Sequence, residues 1–169
     1  MWLHRPLLAA LAVTAVVGLA GCGIQPLYGT TAGGSRLAAV MAGVEITPIP
    51  GRVGQRMRNE LIFENTGGSG QATSTYKLDI VIKESVINQL VKITGDAKGQ
   101  VYELDATFKL ISNDGRVVLE GKATSRAAYE RFETIFSNVR ARYDAENRAA
   151  RTVAESIKVR IAAYLSQAA

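Results

Sequence analysis

The residue with the clearest chemistry is Cys22, the only cysteine in the 169-residue sequence. It directly follows Leu19-Ala20-Gly21, and an uncharged apolar run from Leu7 to Leu19 precedes it behind a short basic head. A basic head, an apolar run and small residues at the cleavage point are typical of a secretory signal peptide. A thiol held at the membrane surface can accept a diacylglycerol as a thioether. The pattern therefore predicts a lipobox, with residues 1–21 removed and Cys22 as the lipid-attachment site.

Two other interpretations of this stretch are a transmembrane anchor and a buried free cysteine. The apolar run is shorter than the roughly 20 residues that a spanning helix needs, and Gly21, Gly23 and Pro26 would interrupt such a helix. Gly23 also stands where lipoproteins retained in the inner membrane usually carry aspartate. We therefore expect a lipid anchor in the outer membrane.

Composition excludes several kinds of active site. Removal of residues 1–21 takes away His4, the only histidine, and acylation blocks the only thiol. Cysteine nucleophiles, histidine-assisted serine nucleophiles and most zinc sites are thereby excluded. The 20 Lys and Arg residues outnumber the 15 Asp and Glu residues only mildly and are spread along the chain, so we expect most of them on the solvated surface. Nucleic acid is not an expected partner of an exported protein. We expect neither an enzyme nor a bound metal or cofactor.

The rest of the chain predicts a tether and one folded domain. Residues 22–43 are rich in Gly, Thr, Ser and Ala, a composition typical of an extended tether, and residues 44–169 suit a single domain. Alternation of apolar and polar residues predicts a short strand from Val44 and longer strands from Tyr76, Tyr102 and Val117. The prolines that end the first strand place it at an edge of the sheet.

Helical spacing of apolar residues predicts two helices. The first covers Arg52–Asn65, and the second runs to Leu165 from Asp144, its expected N-cap. The same spacing continues upstream from Val139 to Phe132, so the second helix has room to begin earlier. The order β-α-β-β-β-α predicts an α+β two-layer sandwich, in which a four-stranded mixed sheet carries both helices on one face.

The far end of the first hairpin departs from strict alternation, because apolar residues there fall on both faces of the strand. Exposed apolar patches tend to mark contact sites, so these residues are candidates for a partner interface. A β-bulge, or the tether folded back onto the hairpin, would account for the pattern equally well. The residues concerned are Val86, Ile87, Leu90, Val91 and Ile93.

Three stretches together resemble the lipopolysaccharide-assembly lipoproteins of alphaproteobacteria, the LptE family. Cys22–Gly29, which reads CGIQPLYG, is similar to the family's mature N-terminus, Arg52–Leu61 to its first helix, and Ala149–Leu165 to its last. The resemblance implies a non-enzymatic outer-membrane lipoprotein, held on the periplasmic side by its acyl chains. It further implies a plug in an LptD-type β-barrel that supports the transport of lipopolysaccharide to the cell surface.

This resemblance directs attention to basic residues, because the phosphates of lipid A favour Lys or Arg on a rigid scaffold. Lys92 and Lys98 flank the turn of the first hairpin, and Lys122 has outward parity on the last strand. These three are the candidate lipopolysaccharide-binding residues, with solubility as their alternative role. The alternative function is an auxiliary lipoprotein of an ABC-type lipid or solute transport system, which needs no catalytic motif either.

Overall fold

The structure, a computed structural model, describes residues 37–68, 73–91 and 97–168. The predicted signal peptide, Cys22, Lys92 and Ile93 lie outside these ranges. Within the ranges no helix is both long and apolar enough to cross a membrane. The described elements are α1 (Leu37–Ala42), β1 (Val44–Ile46), α2 (Gly51–Thr66), β2 (Tyr76–Val91), β3 (Ala97–Ser112), β4 (Val117–Glu130) and α3 (Ile135–Ala168).

The four strands form one mixed sheet in the order β1-β2-β3-β4. β1 runs parallel to β2, with Val44 opposite Tyr76, while β2 with β3 and β3 with β4 are antiparallel. β1 lies at the edge, as the prolines after it predict. The predicted α+β fold with a four-stranded mixed sheet covered by helices is confirmed.

Alternate residues of the strands face the helices and form the core. On β3 every second residue from Tyr102 to Leu110 is buried, which is the pattern of a sheet with one covered face. The ring of Phe108 fits because Gly121 lies opposite it, where a Cβ atom would come within 2.9 Å of the ring. The helices contribute their own buried side chains to this layer, namely Met57, Leu61, Val153, Ile157, Ile161 and Leu165.

The short helix α1 was not predicted, since the sequence interpretation assigned residues 22–43 to the tether. Its sequence is LAAVMA, and the four-residue spacing of Leu37 and Met41 puts both side chains on one face. Both are buried in the core cluster, and α1 contacts α2 and α3. The described end of the predicted tether therefore belongs to the folded domain.

Helix α3 begins nine residues before Asp144, so the prediction that Asp144 is its N-cap is wrong. Asp144 lies inside the helix, where its carboxylate accepts a 2.8 Å hydrogen bond from Arg148 one turn further on. The helical spacing upstream of Asp144 is confirmed as helix from Ile135 onward. At 34 residues α3 is about 51 Å long, similar to the length of the longest strands.

Candidate functional site

Apolar side chains remain exposed at one end of the sheet, where β2 approaches β3, β4 ends and α3 begins. Val86 and Ile87 are both exposed, and successive strand residues point to opposite faces. They therefore show the two-sided apolar exposure expected for the hairpin end. Leu90 and Val91 belong to the backbone of β2, but their side chains are not among those the structure describes.

The first turns of α3 expose further apolar side chains at the same end. Ile135 is 83% exposed and Phe136 is 74% exposed. Residues three and four apart share one side of a helix, so Val139 continues the same apolar stripe. We call this set the distal surface, and it consists of Val86, Ile87, Phe132, Ile135, Phe136 and Val139.

The distal surface is built on an ordered connection between β4 and α3. The side chain of Asn138 pairs with the backbone of Phe132: its Oδ1 accepts from the Phe132 N–H at 2.5 Å, and its Nδ2 donates to the Phe132 carbonyl at 2.7 Å. The hydroxyl of Thr134 donates to that of Ser137 at 2.7 Å. The exposed apolar side chains are thus presented by a hydrogen-bonded scaffold.

Beneath the distal surface a buried carboxylate joins α3 to α2. Glu146 is 4% exposed, and it accepts from Arg142 Nε at 2.8 Å while forming an ion pair with Arg52. The hydrogen bond that Arg142 donates to Glu146 raises the pKa of Arg142, so this guanidinium stays charged. Arg52 also lies 4.4 Å from the ring centroid of Tyr143, a cation–π contact. Two cationic partners offset the cost of burying the carboxylate.

A second polar contact links the two long strands at this level. Tyr102 is fully buried, and its hydroxyl donates to Glu84 Oε2 at 2.7 Å. Burial raises the pKa of Tyr102 strongly, and the hydrogen bond and charge of Glu84 raise it further, so the phenol stays neutral. Both residues lie beside the Glu146 cluster, where Glu84 and Val139 help to line a cleft of about 440 Å³. The two carboxylates of the cleft are both paired, Glu84 with Tyr102 and Glu146 with Arg52 and Arg142. The pairs of Glu146 fix the position of α3 against α2.

The structure separates the candidate lysines. Lys98 lies in β3 near the hairpin end, with its side chain outside the described set, whereas Lys122 is exposed on the outer face of β4 opposite Thr107. Thr107 is nine residues beyond Lys98, or about 30 Å at 3.4 Å per residue. Lys122 lines a shallow cleft with Asp105 instead. Lys98 and Lys122 are therefore not brought into one cluster.

Sequence reasoning did not single out Phe132, Ile135 and Phe136 as surface residues. Their helical spacing is visible in the sequence, and it predicts only that the helix has room to begin earlier. The structure shows that no residue of α3 before Ala145 is buried. No signal in the spacing separates this exposed stretch from the buried half of the same helix.

Comparison with known protein families identifies the family of this chain. The sequence model of the lipopolysaccharide-assembly family LptE matches residues 41–161, which is most of the described domain. The chain belongs to the LptE family. This confirms the predicted family, and the matched residues include the stretch Arg52–Leu61 but not Cys22–Gly29. LptE proteins are outer-membrane-associated lipoproteins of lipopolysaccharide assembly and are not enzymes.

Solved structures share the fold of this LptE protein. A lipoprotein from Caulobacter crescentus CB15 superposes with a TM-score of 0.62 at 20% identity, covering 77% of this chain and 96% of that chain. Rare lipoprotein B from Shewanella oneidensis gives 0.54 at 14%, covering 71% and 93%. Lipoprotein B from Nitrosomonas europaea gives 0.52 at 14%, covering 73% and 83%. At these identities the likeness shows the fold alone. No curated protein matches the sequence.

Proposed function

We propose that this LptE protein is the lipoprotein partner of an LptD-type β-barrel. Acyl chains on Cys22 hold it at the periplasmic face of the outer membrane, where it plugs the barrel and supports delivery of lipopolysaccharide to the cell surface. The observation that carries the proposal is the distal surface, in which Ile135 and Phe136 are exposed on an ordered scaffold. Family membership supplies the process in which the partner acts.

The shape of the distal surface favours a partner that surrounds it. Val86 and Ile87 expose apolar groups on opposite faces of one strand, and Phe136 adds a third direction from α3. A flat partner surface can cover only one face of a hairpin, whereas a barrel that encloses the hairpin can cover both faces. Full burial of a large apolar side chain contributes about 1.5–3 kcal/mol, so several such side chains suffice for a stable complex.

The anchor is the second part of the proposal. Cys22 is fifteen positions before Leu37, the first described residue, and that span reaches at most about 50 Å when extended. Each buried methylene contributes about 0.8 kcal/mol, so two or more acyl chains hold a protein to a membrane durably. Mass spectrometry of the mature N-terminal peptide tests this directly. An unmodified Cys22, or retention of residues 1–21, would contradict it.

Contact with lipid A phosphates is assigned to Lys92 and Lys98 acting together. A single exposed charge contact contributes only about 0–1 kcal/mol, whereas charges converging on a phosphate contribute more. Replacing both lysines by glutamate should reduce lipopolysaccharide binding, and added salt should weaken binding by the parent protein. Lys122→Glu is the comparison, because Lys122 lies about 30 Å along the sheet from Lys98. If the double variant keeps its fold and binds lipopolysaccharide as tightly as the parent protein, these two lysines do not contact the lipid A phosphates.

The partner is tested by purifying the acylated protein from detergent-solubilised envelope with Phe136→Asp in place. Desolvating an unpaired charge in an interface is costly, so recovery of a large outer-membrane barrel should fall at least tenfold. Val159→Asp is the matched control, since Val159 is 52% exposed on the same helix outside the distal surface. Recovery that is equal for both variants would contradict the proposed interface. An inner-membrane permease in place of the barrel would favour the ABC-type alternative.

A further inference from the structure

A cavity of about 390 Å³ lies where α1 meets the end of α2 and the last turns of α3. It is mostly apolar, with Leu37, Met41 and Ala162 among its lining residues, and Lys158 lies on its wall. Its size falls in the range of cavities that hold a ligand. The cavity is at the opposite end of α3 from the distal surface, so the proposed barrel contact does not account for it.

One polar side chain that lines this cavity has no hydrogen-bond partner among the described residues. Asn65, in the last turn of α2, is 7% exposed and lines the cavity. Neither its Nδ2 nor its Oδ1 makes a hydrogen bond within the described part of the chain. An unsatisfied buried polar group is destabilising, and native structures contain few of them. The carboxamide therefore points to a ligand with both a donor and an acceptor.

We propose that this cavity receives the chain's own segment Ile24–Tyr28. The chain enters α1 at Leu37, which itself lines the cavity. Among residues 23–36 only this segment carries large apolar side chains, Ile24, Leu27 and Tyr28, whereas residues 29–36 read GTTAGGSR. Those eight residues span up to about 28 Å when extended, which is long enough to return the segment to the cavity.

The chemistry of Asn65 selects a peptide over an acyl chain. A carboxamide offers a donor and an acceptor side by side, which match the C=O and N–H of a peptide backbone. An acyl chain would fill the apolar volume but leave both Asn65 atoms unpaired. Docking of Ile24–Tyr28 leaves only Gly23 between the segment and acylated Cys22, so it holds the domain close to the membrane in place of a long tether. The contacts lie within one chain and require no barrel.

The sign of the Asn65→Leu effect tests the proposal in the acylated protein in detergent. If the carboxamide holds the segment, Asn65→Leu removes hydrogen bonds and lowers the Tm by about 2–4 °C. In a variant of the protein with Ile24, Leu27 and Tyr28 all replaced by serine, the same substitution removes an unpaired amide and should raise the Tm. If Asn65→Leu raises the Tm in both backgrounds, or lowers it in both, the proposal is overturned.

Cross-linking tests the location separately. The disulfide between Leu27→Cys and Ala162→Cys should form at least fivefold more than that between Leu27→Cys and Val159→Cys, because Ala162 lines the cavity and Val159 does not. Equal yields would overturn the docking. The Tm and disulfide measurements do not depend on the barrel. The docking proposal can therefore fail or succeed whether or not a barrel co-purifies with the protein.

Discussion

The two halves of α3 have opposite relations to water although they share one apolar stripe. From Ala145 to Leu165 the stripe is buried against the sheet and α2, whereas from Ile135 to Asp144 no side chain is buried. Spacing determines which side chains share a face, but the length and register of the strands determine what covers that face. One sequence pattern therefore produces core in one half and, in our account, a contact surface in the other.

Removing one aromatic ring from each region should give the largest contrast. Phe108 is fully buried against Gly121, so Phe108→Ala should lower the free energy of unfolding by about 3–5 kcal/mol. Phe136 is mostly exposed, and Phe136→Ala should change the free energy of unfolding by less than about 0.5 kcal/mol. Urea unfolding of both variants makes the comparison. A similar loss in both would show that the distal surface belongs to the domain's own core.

Neutralising the carboxylate at the boundary between the halves should have an intermediate effect. Glu146→Gln keeps the shape but removes the counter-charge of Arg52 and Arg142, which are partly exposed and regain water. We expect a loss of about 1–3 kcal/mol. Asp144→Asn is the control two residues away, because its ion pair with Arg148 is exposed and contributes at most about 0.5 kcal/mol. Equal unfolding free energies for the two variants would remove Glu146 as the link between the helices.

The smallest effect is expected at Tyr102, and it depends on pH. Tyr102→Phe removes the hydrogen bond to Glu84 and should cost about 1 kcal/mol at pH 8. In the unfolded parent Tyr102 ionises near its usual pKa of about 10, whereas in the folded protein it stays neutral. Parent stability therefore falls as pH rises above about 10, and its advantage over the variant should narrow there. A constant difference from pH 8 to pH 11 would contradict the raised pKa.

Much of the sheet could be predicted because each strand has one covered face. The alternation in β2 and β3 places Leu78 and Leu104 inside, and the turn after β3 uses Gly115 at a positive φ of 81°, a conformation that favours glycine. The boundaries of α1 and α3 could not be predicted, since packing against other elements decides them. Asp144 has the side chain of a good N-cap, yet the helix continues through it from Ile135.

The candidate site was only partly visible in the sequence. Parity alone was enough to mark Val86 and Ile87, because apolar residues on both faces of a strand cannot all face one core. The exposure of Phe136 depends on what packs against the start of α3, which spacing within α3 does not encode. The lysines carried no geometric signal, and the structure places Lys122 far along the sheet from Lys98.

The central claim is that the distal surface contacts a β-barrel partner, and site-specific photo-cross-linking in intact cells tests it most directly. A photoreactive side chain at Ile135, which is 83% exposed, should cross-link to a large outer-membrane barrel. The same side chain at Val159, on the same helix but outside the distal surface, should not. A cross-link from Val159 with none from Ile135 would contradict the account.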